Sequence, residues 1–595
     1  MIESSALGER IGRLSERQRL CSLFAFALVL RLIYLHEIQS SPFFGVLLGD
    51  AATYDAWALR IQDGWLGTEV FFQAPLYPYF LAVIDALFGH DLVLIRVLQM
   101  ALGSAACVLL AEAGRDFFSR DIGFVSGIVL AVYGPALFFD GLVQKSCLDV
   151  FLTTLLLFVL GRLERARRSS AEETRSAPRL RLLTGCVLGC LALTRENALI
   201  WVPCLLWWIA SDLPRAHLLH GARKRLLPFG LGLSLVLVPV LARNAWVGGA
   251  FFITTSQLGQ NLYIGNNAQA DGTYQSLRFG HGGAELERRD AIELAQAAEG
   301  RELSAAQVSH YWSERAWSFV KAEPGKWGAL LSKKWLLVWN ARELSDSDEP
   351  LVYADASTLF RMLSIVFCFG TLCPLAFAGA VIVLRRPERF LLLHVLALAL
   401  AASTALFFVF ARYRYPLVPL LIPLAVVAVF EAMALFRART LRPLAVLALL
   451  VACGTIVTHL NLVPNETPRA TAYYDLGVSL ERLQRPSEAK TSYLEALSNR
   501  PDFVEAHINV GALLAQEGSL DEAAAHELAA LRLRPEDALA HADLGNVLFE
   551  QGQLLRAAQH YLKAQQLDPG QPQAREGLAA VRERLREQDP SAPHD

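Results

Sequence analysis

Apolar runs bounded by charges recur along most of the chain and predict membrane-spanning helices near 20–38, 91–114, 121–139, 146–161, 227–247, 358–384, 390–411, 415–436 and 443–463. The stretch 182–211 is apolar too, but Thr194, Arg195, Glu196 and Asn197 split it. Each half falls short of the roughly 20 residues a span needs, so it reads as a hairpin of two short helices. Counted as two spans it gives about eleven in all, and as a re-entrant hairpin nine. Both numbers are odd, which puts the two ends of the chain on opposite faces.

Positive charge orients the spans, because cytoplasmic loops carry the Lys/Arg excess. Arg10, Arg13, Arg17 and Arg19, then Arg115 and Arg120, and the basic stretches at 162–181, 215–225, 385–389 and 437–442 fall on one face. The N-terminus is therefore expected in the cytoplasm, behind an uncleaved first span. The loops 39–90, 140–145, 248–357 and 412–415 are expected outside together with the C-terminal part. Arg31 lies inside the first apolar run and must snorkel or pair. In the first outward loop Tyr54, Trp57, Ala58 and Ile61 recur at helical spacing and predict an amphipathic helix over 51–62. In the outward loop 248–357, a Gly- and Asn-rich loop at 259–272 precedes helical stretches near 284–299 and 304–321. Trp312, Trp317, Trp327, Trp335 and Trp339 suit interface anchoring, or stacking on sugar rings.

The C-terminal part changes period. Gly477, Gly511 and Gly545 are 34 residues apart, as are Pro501, Pro535 and Pro569, Ala489, Ala523 and Ala557, and Ala496, Ala530 and Ala564. Four registers over three repeats resemble the tetratricopeptide (TPR) family: small residues let paired helices approach, and each Pro ends a second helix. The expected domains are 1–463 in the membrane, 464–570 as three TPR repeats, and 571–595 as a capping helix with a disordered tail. TPR arrays carry no chemistry of their own and offer a groove, which implies a protein partner. The fold class is thus all-α, a polytopic transmembrane bundle followed by an α-solenoid.

Composition fits this reading, with 54% hydrophobic and only 19% charged residues. A net charge of −2 and no clustered basic stripe exclude a nucleic-acid binder. All nine cysteines sit in or beside apolar runs and read as small hydrophobes. The Cys186/Cys190 pair has no further ligands at metal spacing.

A set of short motifs follows in order: Asp50 after the first span, Tyr54, Gly64, Ala-Pro-Leu-Tyr-Pro at 74–78, Phe88-Gly89, Arg96, Leu193-Thr194-Arg195, Arg243-Asn244, Asn261 to Asn267, and Arg412-Tyr413-Arg414-Tyr415-Pro416. Together they resemble the GT-C membrane glycosyltransferases, nearest the protein-mannosyltransferase and aminoarabinose-transferase-like group of family 39, over residues 20–463. The resemblance implies a sugar moved from a polyprenyl-phosphate donor to a protein or glycan acceptor on the extracytoplasmic side. It makes Asp50 the catalytic base, with Arg412, Arg414, Lys145 and Arg195 on the donor phosphate. Tyr54, Asp55, Arg243, Asn266 and Asn267 become substrate-binding candidates. Many family members carry an acidic pair where this chain has Asp50-Ala51, the next acid being Asp55, so a divalent metal ion as cofactor stays open.

The residues support the same site on chemical grounds. Expelling a lipid phosphate while an acceptor hydroxyl loses a proton needs a carboxylate and nearby cations. Asp50, Asp140, Lys145, Arg195, Arg243, Arg412 and Arg414 fall at outer span ends or in outward loops. The plainer alternatives are a helix cap for Asp50, interface anchoring for the cations, and a tight turn at Asn266 and Asn267. A transporter would place its ionisable residues near the midplane and show duplicated halves; a membrane-anchored TPR scaffold would not need so many spans. A bacterial inner membrane, with the TPR repeats in the periplasm, fits the charge pattern.

Overall fold

The computed structural model describes residues 15–64, 67–168, 170–211, 218–278, 284–346, 348–463 and 468–588. Arg10, Arg13 and the expected disordered tail lie outside them. The protein is all-helical and membrane-integral. Among the described residues seven helices are long and apolar enough to cross a bilayer: Glu16–Ile38, Leu92–Phe117, Ser146–Arg168, Arg223–Gly248, Thr358–Val383, Ala411–Arg437 and Leu441–Thr458. An eighth is formed by Arg120–Val132 and Gly134–Gly141 if that pair, bent by 57°, counts as one span.

Three apolar helices are shorter, Leu76–Phe88, Glu196–Ala210 and Phe390–Leu406. The first lies where an outward loop is expected; Pro75 and Pro78 suggest a break, but proline in the first turn of a helix costs no hydrogen bond. The second is half of the expected hairpin, whose other half lengthens to Ser170–Ala192. The third stops five residues short of the expected 411. There the carbonyls of Leu406 and Phe407 turn to outside donors: Asn266 Nδ2 reaches Leu406 at 2.8 Å, and the buried Lys334 Nζ reaches Phe407 at 2.9 Å. Carbonyls left open at a helix C-terminus need such partners.

The chain forms two compact units. One comprises residues up to Ser41, Gly49–Asp346 and Tyr353–Leu462; the other comprises Pro42–Leu48, the stretch ending at Val352, and the chain from Val463 onward. In the membrane unit the expected awkward residue, Arg31, is 1% exposed and pairs with Asp140 at 2.8 Å. Gly103 makes this possible, because a Cβ there would lie 2.0 Å from the Asp140 carboxylate. Asp140, grouped with the site cations in the sequence, is thereby a structural partner of the first span.

The second unit holds helix pairs Pro468–Arg482 with Pro486–Asn499, Val504–Gln516 with Leu520–Leu533, and Ala538–Glu550 with Leu554–Leu567, followed by Pro572–Gln588. In the first and third pairs a tyrosine, Tyr493 or Tyr561, packs on Gly477 or Gly545. The second pair puts Glu527 at the same register, against Gly511. Glu527 is fully buried, and neither carboxylate oxygen has a hydrogen-bond partner. Burial, with Asp543 and Asp537 nearby, pushes its pKa up to about 9. Folding therefore takes up a proton that the unfolded chain releases above about 4.5. The stability this lends is present below that value and falls by about 1.4 kcal/mol per pH unit until about 9. We expect Glu527→Leu to raise the unfolding midpoint at pH 8 and to remove this slope. Thermal circular dichroism of both proteins from pH 5 to 9 checks it, and parallel pH profiles would refute it.

Candidate active site

Asp50 sits in the first turn of the helix Gly49–Gln62. Gly49 turns the chain into that helix with φ 50°, a value glycine adopts without strain. Asp50 does not serve as a cap: among the described residues its carboxylate accepts from side chains. Oδ1 takes Gln73 Nε2 at 2.8 Å and Oδ2 takes Arg412 Nη1 at 2.5 Å. Arg412 stands at the start of the span Ala411–Arg437 and is 7% exposed. Its other terminal nitrogen meets Asp346 at 2.7 Å, and Nη1 also faces Gln144 Oε1 at 3.3 Å. The ring of Tyr413 lies 5.1 Å from the guanidinium carbon. One buried cation thus joins two carboxylates that are far apart in sequence.

Lys145 belongs to the same cluster. It is 7% exposed, and its electrostatic neighbours are Glu196, Arg195, Asp149 and Arg412. Among the described residues its ammonium has no hydrogen-bond partner, and burial lowers its pKa. Asp50 feels burial first, which raises its pKa, but Arg412 and Lys145 outweigh that and hold it below the usual range. Asp346 goes the other way: burial raises it, against the pull of Arg412. Glu287, on the helix Ala284–Glu299, accepts from Gln260 at 3.1 Å and Tyr274 at 3.2 Å. Burial and the charge of Asp50 push it up to about 7. Tyr54 is fully buried, its hydroxyl has no hydrogen-bond partner, and its ring meets Tyr77 edge-on at 5.4 Å.

Other candidates are placed differently. Arg195 gives Nε and Nη2 to Asp149 at 2.9 and 2.6 Å, and Nη2 also to the Arg412 carbonyl. It braces the site from behind. Arg414 is 2% exposed and clasps the turn after the helix Pro324–Val338, bonding the Arg342 carbonyl at 2.7 Å and Glu343 at 2.9 Å. Asp55 turns to His90 at 3.8 Å, away from Asp50. Arg243 reaches the Glu69 carbonyl at 2.6 Å and lies 3.9 Å over Phe71. Asn266 bonds Leu262, Leu406, Trp327 and Lys334, and Asn267 bonds Tyr263 and Ile264. These two amides are spent on holding loops.

The sequence reading missed Asp346, Glu287, Gln73 and Gln144. None lies in a motif, and each is polar in a stretch where polar residues are ordinary. Among the described residues no group of three or more His, Cys, Asp or Glu side chains is placed to hold a metal ion. The guanidinium of Arg412 lies between Asp50 and Asp346.

Residues 73–243 match the family model described as dolichyl-phosphate-mannose-protein mannosyltransferase. Residues 474–538 and 523–572 match the tetratricopeptide repeat model. Over these residues the chain is similar to the mannosyltransferase family, and its C-terminal part to tetratricopeptide repeats. The match takes in Gln73, Lys145, Arg195 and Arg243 of the membrane unit and stops short of Asp50 and Arg412 on either side. No curated protein matches the chain. Among solved structures, the S. cerevisiae protein O-mannosyltransferase Pmt1–Pmt2 complex bound to the sugar donor is 21% identical over 38% of this chain and 33% of that one, with a TM-score of 0.30. The Archaeoglobus fulgidus oligosaccharyltransferase AglB, in complex with an inhibitory peptide and a dolichol-phosphate, is 15% identical over 80% and 59%, with a TM-score of 0.40. The first TPR of Spaghetti (RPAP3), bound to an HSP90 peptide, is 18% identical over 20% and 95%, with a TM-score of 0.20. The chain spans only 33% and 59% of the two transferase chains it resembles.

Removing one partner of a buried ion pair costs more than the pair contributes, on the order of 3–5 kcal/mol. We therefore expect Arg412→Gln to unfold at lower temperature in detergent than the unaltered protein, with Asp346→Asn in the same chain recovering part of the loss. Differential scanning fluorimetry checks both; a double variant no better than the single one would show that Asp346 is not the stranded charge.

Proposed function

We propose that the protein transfers a sugar from a polyprenyl-phosphate donor to a hydroxyl of a protein or glycan acceptor on the extracytoplasmic side, with the TPR repeats binding a protein partner. The observation that carries this reading is the buried pairing of Asp50 with Arg412 beside Lys145, a buried side chain whose ammonium has no hydrogen-bond partner among the described residues. Such a cation favours an anion strongly, because little water competes with it.

The roles follow from charge. The donor phosphate takes Lys145 and part of Arg412, the guanidinium offering planar paired donors. Those two cations are the ones that hold the Asp50 carboxylate below its usual pKa. As the phosphate neutralises them, Asp50 becomes a stronger base. The acceptor oxygen attacks the anomeric carbon, the bond from that carbon to the phosphate oxygen breaks, and Asp50 takes the hydroxyl proton. The polyprenyl phosphate leaves with its negative charge held by Lys145 and Arg412. Arg195 holds the Arg412 carbonyl, and Arg414, two residues on, fastens the start of that span to the turn at 340–343.

Two outcomes follow. Asp50→Asn, compared as protein that remains folded in detergent, should lose about 10²-fold or more in transfer of radiolabelled sugar from polyprenyl-phosphate sugars. Equal rates would return Asp50 to a structural role. Glu287 is neutral below about 7 and ionised above it. Above pH 7 it adds a negative charge beside Asp50, so the KM for donor should rise there. Glu287→Gln should flatten that rise, and a Gln variant with the same inflection would assign it to another group.

A further inference from the structure

Two of the three TPR repeats share a polar contact that the middle one has lost. Tyr493 donates its hydroxyl to Glu481 and hydrogen-bonds Asn509 of the next repeat, while Tyr561 donates to Asn546 at 2.7 Å. The side chain at this register thus crosses Gly477 or Gly545 to reach polar groups on first helices. In the second repeat the register is kept and every partner differs. Glu527 stands for the tyrosine and crosses Gly511. The counterparts of Glu481 and Asn546, 34 residues away, are Ala515 and Ala512, and the counterpart of Asn509 is Asp543. A bonded tyrosine and amide at one junction between repeats are therefore two acids at the next.

No donor of the unit answers them. Both carboxylate oxygens of Glu527 are buried without a hydrogen-bond partner, and its charged neighbours, Asp543 and Asp537, are acids as well. Arg534 is spent on Glu505 at 2.8 Å and on Asp537 at 2.9 Å. Glutamate is shorter than tyrosine, and alanine shorter than glutamate or asparagine, so side-chain volume is missing where Ala512, Ala515 and Asp543 are only half-buried. A buried carboxyl without a partner destabilises the fold that holds it.

We propose that Glu527 and Asp543 together hold a basic side chain, lysine or arginine, of the protein partner of the TPR repeats. The proposal rests on the reading of those repeats as a partner-binding unit and gives that partner's chemistry. One cation between two acids is an arrangement this chain already uses, at Arg412 between Asp50 and Asp346. In the free protein a proton stands in for the cation. Burial, with Asp543 and Asp537 nearby, keeps it on Glu527 up to about 9, and burial with Asp537 keeps one on Asp543 up to about 6. An arriving cation displaces that proton, so binding tightens as pH rises. An acidic peptide would instead add a third negative charge to the pair.

The test is binding of two short peptides to the purified full-length protein, titrated by saturation-transfer NMR. The peptides are alike except that one carries arginine where the other carries its neutral isostere, citrulline. The arginine peptide should bind about tenfold more tightly, the worth of one charge-assisted contact, and the preference should be larger at pH 8 than at pH 6. Glu527→Gln and Asp543→Asn, each checked for folding by circular dichroism, should remove most of it; Asp543 is half-buried, so its variant keeps the test should the other misfold. Glu550→Gln, at an exposed acid of the same unit, should leave it intact. A preference unaltered in both variants, one lost equally in Glu550→Gln, or one that falls as pH rises would overturn the proposal. Equal binding of the two peptides would overturn it while keeping a peptide-binding TPR unit. Binding of neither would sink both, and no result here touches the sugar transfer.

Discussion

A guanidinium taken out of water must be met by acceptors, and in the membrane unit these are most often carboxylates. Four buried arginines each meet one or more: Arg31 meets Asp140, Arg195 meets Asp149, Arg414 meets Glu343, and Arg412 meets both Asp50 and Asp346. Three of these pairs are closed. Their bonds run to a single acid or to backbone carbonyls, and they tie a span to its neighbour or to a loop. The fourth is different in kind, because one cation serves two acids with a second cation, Lys145, close by and unbonded. Closed pairs stabilise; a shared one can be rearranged by a third charge.

That difference explains which parts of the site were legible in the sequence. A charge at the end of an apolar run is visible, so Asp50, Lys145, Arg195, Arg412 and Arg414 could all be named from the pattern. Partnership is not visible, because Asp149 and Arg195 lie 46 residues apart and Asp50 and Arg412 lie 362 apart. Hence Arg195 and Arg414, equal to Arg412 by position, prove to be braces. Asp55, the next acid after Asp50 in the chain, faces His90, and the second carboxylate on Arg412 is that of Asp346 in the other long loop. Glu287 was out of reach altogether, since nothing in the polar helix Ala284–Glu299 marks it as an acid that feels the charge of Asp50.

The fold was legible where a period governs it and less so where a single contact does. The TPR register runs through four kinds of residue at once, and it also exposes its own exception: Glu527 occupies the position of Tyr493 and Tyr561. In the membrane unit, spans of adequate length stand out, but the end of Phe390–Leu406 is set by Lys334 and Asn266. Apolar composition there continues past the point where the helix stops. Hydropathy reports what a bilayer tolerates, whereas helix ends report which donors reach the last carbonyls.

The coupling between Arg412 and Asp50 has a direction that bears on how such a site avoids idle chemistry. With no anion present, Arg412 and Lys145 keep the Asp50 carboxylate a poor base. An acceptor hydroxyl arriving first meets a carboxylate that has no tendency to take its proton. Only an anion that draws on both cations frees Asp50, and a phosphate is such an anion, with charge and acceptor oxygens enough for two donors. In the proposed transfer, the contact that holds the leaving group thus also raises the basicity of Asp50, the residue proposed to act next. Gln73 and Gln144 fit this arrangement because they are neutral: they hydrogen-bond the acid and the guanidinium without adding charge that would fix the balance either way. A second arginine in place of either would keep Asp50 permanently silent, and a glutamate would release it before the donor arrived.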